Sequence, residues 1–290
     1  MRSFAPQSTS RKFRGFLAIL ALAASVFLVN LLQMLSLVAW PFSAQLFRAL
    51  NRNLAAFWWN FAVWCTEKLC GMEIKITGDA LPTAENALVI ANHQQMADIL
   101  VILSLAYRHA RIGDLKWFAK NPLKYIPGIG WGMLFIDCIF LKRNWMNDKN
   151  SVLATFAKFR SQKIPFWLVS FLEGTRATKE KIEASQKYSR ENQLPILNHV
   201  LIPRSKGFIA TVQGLENDFA AVYDLTIGFE NFVPTLSQFF MRPIARVHLH
   251  VKRYPRSSLP QDPKALADWT LARFQEKDQR MKEFFAHGHF

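Results

Sequence analysis

The sequence has few cysteines, glycines and prolines for its length. Its 290 residues include 3 cysteines, 12 glycines and 13 prolines. An odd number of cysteines without a C-x-x-C spacing indicates neither a disulfide framework nor a zinc site, and it favours a reducing compartment for the folded part. Low glycine and proline content together with 51% hydrophobic residues excludes collagen-like and intrinsically disordered proteins.

Acidic residues are also scarce. The chain has 21 Asp and Glu against 36 Lys and Arg, which gives a formal charge of +15. A chain with this excess of positive charge attracts anions such as nucleic acid, lipid headgroups or phosphorylated metabolites. The basic residues between positions 111 and 149 are mixed with aspartates, and the sequence contains no recognised nucleic-acid module. We therefore predict no nucleic-acid partner.

Charge is completely absent from positions 15–47. Within this stretch, residues 16–38 are interrupted by only four polar side chains, and as a helix they would reach roughly 34 Å, enough to cross a bilayer core. A signal peptide would have a shorter apolar core followed by a small-x-small cleavage site, which the sequence does not show. We therefore predict a membrane anchor over residues 1–70.

The orientation of this anchor follows from the residues around it. Arg2, Arg11, Lys12 and Arg14 precede the apolar segment without an acidic residue, which places the N-terminus in the cytoplasm. A single span would then put the rest of the chain on the far side. The next apolar run, 54–65, is too short to return unaided, but its three tryptophans suit the headgroup interface. A hairpin or an interfacial helix pair is therefore an alternative to a single span.

After position 70, short apolar runs alternate with helical patterns, which is typical of an α/β domain. We assign residues 71–260 to this domain and residues 261–290 to a C-terminal amphipathic helix that packs on it. The predicted strands are 72–77, 87–91, 117–119, 135–140, 166–171, 199–202, 221–226 and 245–251. The predicted helices are 96–107, 149–163, 207–216 and 263–285.

The segment NHQQMAD, positions 92–98, contains a histidine and an aspartate five residues apart. On a continuous helix His93 and Asp98 would point about 140° apart, so their pairing needs a bend. With His93 in a strand-to-helix turn and Asp98 in the first helical turn, the carboxylate can accept the imidazole N–H and leave the other nitrogen as a general base. The alternative is a histidine satisfied in a turn and an aspartate that stabilises a helix N-terminus.

A second segment, FLEGTR at positions 171–176, follows a wholly apolar strand. Gly174 lets the backbone approach a ligand closely, Thr175 offers a hydroxyl, and Arg176 offers a planar fork for phosphate. These properties indicate an anion-binding loop. The alternative is a strand-terminating turn with an exposed Glu–Arg pair.

Taken together, NHQQMAD and FLEGTR resemble the two signature blocks of the 1-acylglycerol-3-phosphate (lysophosphatidate) acyltransferases. The segment FAKNPLKYIPGIGWGMLFIDCIFLKRNWMND, positions 118–148, is similar to the middle motif of that family. The segments KYSRENQLPILNHVLIPRSKGF and VYDLTIGFE resemble the branch of larger lysophospholipid acyltransferases and their bacterial relatives. The resemblance covers about residues 75–260, and it implies an α/β fold with a mixed sheet flanked by helices.

The resemblance also implies roles for individual residues. It makes His93 the catalytic base and Asp98 its partner. The acceptor's glycerol-phosphate end would contact Glu173, Gly174, Thr175, Arg176, Arg143 and Lys120. Two positions depart from the usual pattern, because Leu172 stands where the family has proline and Lys142 where many members have an acidic residue.

As an enzyme of this family, the chain would move a fatty acyl group to the free hydroxyl of lysophosphatidate or a related lysophospholipid. The donor would be acyl-CoA or acyl carrier protein, with no further cofactor and no metal. We expect a bacterial inner membrane with the active site facing the cytoplasm, where thioester donors occur. The alternatives are a non-catalytic membrane lipid-binding protein and a lipid thioesterase or lipase. A hydrolase of the second kind requires a serine nucleophile, and the sequence contains no G-x-S-x-G motif.

Overall fold

A computed structural model describes residues 9–142, 145–241 and 246–290 of the chain. The strands in these residues are β1 (Ile74–Gly78), β2 (Ala87–Ala91), β3 (Leu115–Lys120), β4 (Ile139–Leu141), β5 (Trp167–Ser170), β6 (Ala221–Phe229) and β7 (Val247–Pro255). The helices are α1 (Thr9–Leu35), α2 (Ala44–Trp64), α3 (Asp98–Arg108), α4 (Ile129–Phe135), α5 (Trp145–Ser161), α6 (Lys179–Glu191), α7 (Ser205–Leu215), α8 (Leu236–Met241) and α9 (Pro263–His287).

The seven strands form one sheet in the order β1-β7-β6-β2-β5-β3-β4. Strands β6, β2, β5, β3 and β4 run parallel to one another, whereas β7 is antiparallel to β6 and parallel to β1. The predicted α/β fold with a mixed sheet is therefore confirmed. Because five neighbouring strands point the same way, the loops that follow them meet at one edge of the sheet.

Both faces of the sheet are covered, which explains the uninterrupted apolar runs of the central strands. All five residues of β2 and all nine of β6 are buried. Along β2, Val89 belongs to the core beneath α2 and α3, whereas Leu88 and Ile90 belong to the core beneath α5, α7 and α9. This alternation follows from the two-residue period of a strand.

The N-terminal segment forms two paired helices. Residues Lys12–Ala39 are long and apolar enough to cross a membrane by length and composition. The Nε1–H of Trp58 on α2 donates to the carbonyl of Leu22 on α1 at 3.2 Å, and Asn51 donates to the Ser36 hydroxyl at 2.8 Å. The apolar run 54–65 thus lies in α2 up to Trp64, and these two hydrogen bonds join α2 to α1 and to the turn that follows it.

Several predicted elements overlap those of the structure. The strand predicted at 245–251 corresponds to β7, and its first residue, 245, lies outside the described residues. The strand predicted at 135–140 is wrong in its first half, because α4 extends to Phe135 and Asp137 adopts a positive φ of 61° before β4 begins. Helix α6 was not predicted, because its sequence is mostly polar and buries only Ser189. At the end of α9, Phe284 is buried whereas Phe285 is 57% exposed.

The strand predicted at 199–202 is absent, and this segment of the described chain is a loop. Its backbone N–H groups bind side chains instead of a neighbouring strand. Asp278 Oδ1 accepts from the N–H groups of Asn198, His199 and Val200 at 2.8, 2.6 and 3.3 Å. An apolar sequence therefore predicts burial here, but the carboxylate on α9 determines the backbone conformation.

We expect Asp278→Ala to lower the free energy of unfolding by about 1–3 kcal/mol, because three N–H groups lose one shared acceptor. Asp278→Asn retains one oxygen and should lose less. Chemical denaturation in detergent measures both effects. Asp268→Ala, at an exposed position of the same helix, is the matched control; equal losses in Asp278→Ala and Asp268→Ala would contradict the assigned role.

Candidate active site

The position of His93 is set by the residue before it. Asn92 is buried at the end of β2, where its side-chain amide donates to the carbonyl of Ile227 on β6 at 3.0 Å and accepts from the N–H of the same residue at 2.8 Å. This pair continues the contact between β2 and β6 past the last strand residue. His93 therefore leaves the sheet from a fixed point at the edge where the parallel strands end.

The chain bends between His93 and Asp98, as their pairing requires. The imidazole Nδ1 lies 2.9 Å from Asp98 Oδ2, and the backbone N–H groups of Gln94 and Gln95 donate to the same oxygen at 2.7 and 2.9 Å. Asp98 is the first residue of α3 and is completely buried. One carboxylate oxygen thus holds both the ring and the turn that carries it.

These contacts assign the nitrogens of the ring. Burial raises the pKa of Asp98, and the hydrogen bond from His93 acts in the opposite direction. Because the carboxylate accepts, Nδ1 carries the proton and Nε2 is the nitrogen available to a substrate hydroxyl. The imidazole also stacks on Phe171, with ring centroids 4.0 Å apart and planes inclined by 17°. The ring is therefore fixed both at its edge and on its face.

Glu173 lies beneath this turn. Its Oε1 accepts from the backbone N–H of His93 at 2.6 Å, and its Oε2 accepts from the N–H of Leu201 at 3.0 Å. The side chain is only 2% exposed. Burial raises the pKa of Glu173 to about 8, against the opposing effect of the two backbone donors. In this structure the carboxyl group joins two loops, and a contact between it and the acceptor remains a prediction.

The loop that follows β5 brings the arginine to the same place. Gly174 has a positive φ of 69°, and an added Cβ would lie 3.1 Å from Cδ of Arg204. Arg176 is exposed, and its guanidinium donates to Oε1 of Gln95 at 2.6 Å. The hydroxyl of Thr175 accepts a hydrogen bond from the Lys181 ammonium. A glycine at this turn thus lets the loop fold back toward the histidine.

The backbone of the arginine loop also contacts the histidine directly, because Ala177 N–H donates to the carbonyl of His93 at 2.8 Å. Lys120 is exposed at the carboxyl end of β3, on the same edge of the sheet. Within the described ranges, no hydrogen bond joins Lys120 to His93 or Arg176. Arg143 lies outside the described residues.

Sequence reasoning missed four residues that support the site: Asn92, Gln95, Phe171 and Lys277. The first three lie inside the two motifs, and that position in the sequence could have indicated that they belong to the site. Lys277 gives no such signal, because a lysine on a helix is normally solvated. Here it is completely buried, donates to Asp224 and to the carbonyl of Leu225, and its charge opposes the upward shift of the Glu173 pKa.

Comparison with known proteins identifies the family of the chain. The Acyltransferase family signature matches residues 73–230, and the Acyltransferase C-terminus signature matches residues 238–290. A parallel-strand edge that joins a His–Asp pair to an arginine loop, on a chain with these two signatures, defines an acyltransferase. The chain is 35% identical to 1-acyl-sn-glycerol-3-phosphate acyltransferase 3 of Arabidopsis thaliana over 89% of its length and 70% of that relative. It belongs to the 1-acyl-sn-glycerol-3-phosphate acyltransferase family.

Two further relatives show the same likeness. The delta form of 1-acyl-sn-glycerol-3-phosphate acyltransferase from Homo sapiens is 35% identical over 92% of this chain and 72% of that protein. The fold is similar to the crystal structure of the 1-acyl-sn-glycerophosphate acyltransferase PlsC from Thermotoga maritima. That match has a TM-score of 0.57 at 17% identity and covers 94% of this chain and 98% of the other.

A substitution of Asp98 can test whether its negative charge matters for catalysis in addition to its hydrogen bonds. All three N–H groups use Oδ2, while Oδ1 is buried without a hydrogen-bond partner among the described residues. In Asp98→Asn the amide oxygen can occupy the Oδ2 position and keep these bonds. We expect a folded protein with kcat lower by about 10²-fold or more, because the imidazolium loses its counter-charge. Asp268→Asn is the control; a kcat within twofold of the native value in Asp98→Asn would contradict this role.

Proposed function

We propose that the chain transfers a fatty acyl group from a thioester donor to the free hydroxyl of lysophosphatidate or a related lysophospholipid, with His93 as general base. The observation that carries this proposal is the 2.9 Å contact between His93 Nδ1 and a fully buried Asp98, in a turn that also contacts Arg176 through Gln95. Base, orienting carboxylate and anion-binding group therefore occupy one edge of the sheet. The family to which the chain belongs supports the same activity.

The proton balance follows from this arrangement. Nε2 of His93 removes the proton from the acceptor hydroxyl while its oxygen attacks the thioester carbonyl. Asp98 stabilises the imidazolium that forms, and the tetrahedral intermediate then expels the thiolate. The thiolate takes up the proton from the imidazolium, which restores neutral His93. No acyl-enzyme is needed, since the acceptor supplies the nucleophile.

Arg176 is proposed to bind the acceptor phosphate. Its guanidinium is exposed and lies on the loop that is hydrogen-bonded to the His93 carbonyl. A bidentate contact with phosphate would fix the acceptor relative to Nε2 and lower the entropic part of the barrier. Gly174, Thr175, Lys120 and Arg143 are proposed as further acceptor contacts on the resemblance, and acyl-CoA or acyl carrier protein as the donor.

The membrane is the proposed site of action. Helix α1 presents exposed apolar side chains, including Phe16, Leu20, Phe27, Leu28 and Leu31, and it is paired with α2. We propose that residues 1–70 anchor the chain, that residues 71–260 form the catalytic domain and that residues 261–290 pack on it. The active site is proposed to face the cytoplasm, where thioester donors are made. The two relatives with 35% identity come from Arabidopsis thaliana and Homo sapiens, so they do not support a bacterial inner membrane.

Replacement of His93 tests the proposed chemistry. We expect His93→Ala, folded and membrane-bound, to lose at least about 10²-fold in the rate of acyl transfer from acyl-CoA to lysophosphatidate. His287→Ala, at an exposed position of α9, is the matched control. Near-native transfer by His93→Ala would refute the proposal. Free fatty acid as the main native product would indicate a hydrolase, and no product with retained lipid binding would indicate a non-catalytic protein.

Replacement of Arg176 tests acceptor binding. We expect Arg176→Ala to raise the KM for lysophosphatidate by about tenfold or more, with a smaller change in kcat, because a charge-assisted contact to phosphate is removed. Arg190→Ala, which removes an exposed arginine from α6, is the control. An unchanged KM in Arg176→Ala would count against phosphate binding by this loop.

A further inference from the structure

We propose that a cavity at the sheet edge opposite the active site binds the phosphate group of an anionic bilayer phospholipid. The cavity has a volume of about 300 Å³ and lies between α2, the start of β3 and the turn before β5. Lys116 lines it from the amino end of β3, whereas Lys120 ends the same strand at the edge where His93 lies. At about 3.3 Å per residue, these two lysines are roughly 13 Å apart. The cavity is therefore a separate site.

Three cations converge on this cavity from different elements. Arg48 lies on α2, Lys116 on β3 and Lys163 in the turn after α5. Within the described parts of the chain, none of the three makes an ion pair or a side-chain hydrogen bond. Lys116 is only 4% exposed, and a buried ammonium without a partner is costly. An anion in the cavity would supply the missing partner.

The carboxylates that line the cavity do not fill this role. Asp114 already accepts from Arg52 Nε at 2.5 Å and from Arg111 at 2.9 Å. Asp137 accepts from the Lys158 ammonium at 2.5 Å. Each carboxylate therefore has its own cationic partner, and the positive charge of the three converging cations remains in excess. Burial lowers the pKa of Lys116, with smaller opposing effects from both carboxylates, and a bound anion would reverse this shift.

The surface beside the cavity points to a lipid as the source of the anion. Phe135, which lines the cavity, contacts Phe47 of α2 with ring centroids 6.1 Å apart. Phe47 stacks on Trp40 at 6.0 Å, and Trp40 is 61% exposed directly after the apolar segment Lys12–Ala39. A phosphate held by Arg48 and Lys116 would thus lie beside aromatic side chains that continue to the end of the proposed membrane helix, where lipid headgroups are found. A free phosphate ion would make no use of that surface.

The test uses the full chain in a zwitterionic detergent and a lipid that carries no acceptor hydroxyl. Binding of dioctanoyl phosphatidylmethanol, an anionic phosphodiester, is titrated by native mass spectrometry. Dioctanoyl phosphatidylcholine and inorganic phosphate are titrated separately. We expect Arg48→Gln/Lys163→Gln and, independently, Lys116→Gln to weaken binding of the anionic lipid at least about tenfold. The charge-matched control, Lys187→Gln/Lys282→Gln, removes two exposed lysines from α6 and α9 and should bind as the native chain does.

Each outcome bears on the cavity alone. Unchanged affinity of Arg48→Gln/Lys163→Gln for the anionic lipid would overturn the proposal. Inorganic phosphate that binds as tightly as the lipid and displaces it would overturn the assignment to a lipid. Equal affinity for phosphatidylcholine would do the same. Arg176→Ala should retain the lipid, because that arginine lies at the other edge; loss of binding there would place the lipid in the acceptor site and refute a separate cavity. None of these measurements depends on acyl transfer.

Discussion

The active site depends on a single carboxylate oxygen, because Oδ2 of Asp98 holds the imidazole and the turn that presents it. Two backbone N–H groups, from Gln94 and Gln95, share that oxygen with the ring. The first position of a helix is a favourable place for a carboxylate, since the helix dipole attracts negative charge there. The five-residue spacing therefore corresponds to a turn that is closed by the Asp98 carboxylate. Closing the turn also fixes the position of His93.

The active site also requires that the motifs NHQQMAD and FLEGTR, about eighty positions apart in the sequence, lie next to each other in the fold. Parallel pairing of β2 with β5 brings the chain after each strand to the same edge. Glu173 then joins the two loops by accepting the His93 N–H, and Gln95 joins them again by accepting from Arg176. A buried carboxyl group with both oxygens used by backbone donors is a poor candidate for a flexible substrate contact. Its geometry favours a role in holding the loops together.

Much of the fold and of the site could be predicted from the sequence, and the predictions that were wrong failed for physical reasons. Apolar runs predicted β2 and β6 well, because buried parallel strands need no polar face. Residues 199–202 are largely apolar as well, but the N–H groups of His199 and Val200 bind Asp278 of α9 and that of Leu201 binds Glu173, and such long-range contacts leave no local pattern. For the same reason Lys277 could not be identified, whereas His93 and Asp98 could, since their contact is local.

Proton transfer to His93 adds positive charge to a buried region rich in carboxyl groups. Asp98, Glu173 and Asp224 are at most 2% exposed, and the amino group of Lys277 donates to Asp224, while burial lowers the pKa of this lysine well below its usual range. An imidazolium formed beside Asp98 is stabilised more strongly in this low dielectric than in water. Because the ring gains its charge only as the acceptor hydroxyl loses a proton, this stabilisation favours the transition state over the ground state. By supplying Lys277 as a buried hydrogen-bond donor to Asp224, helix α9 contributes to the electrostatics of a site whose reacting groups all lie elsewhere.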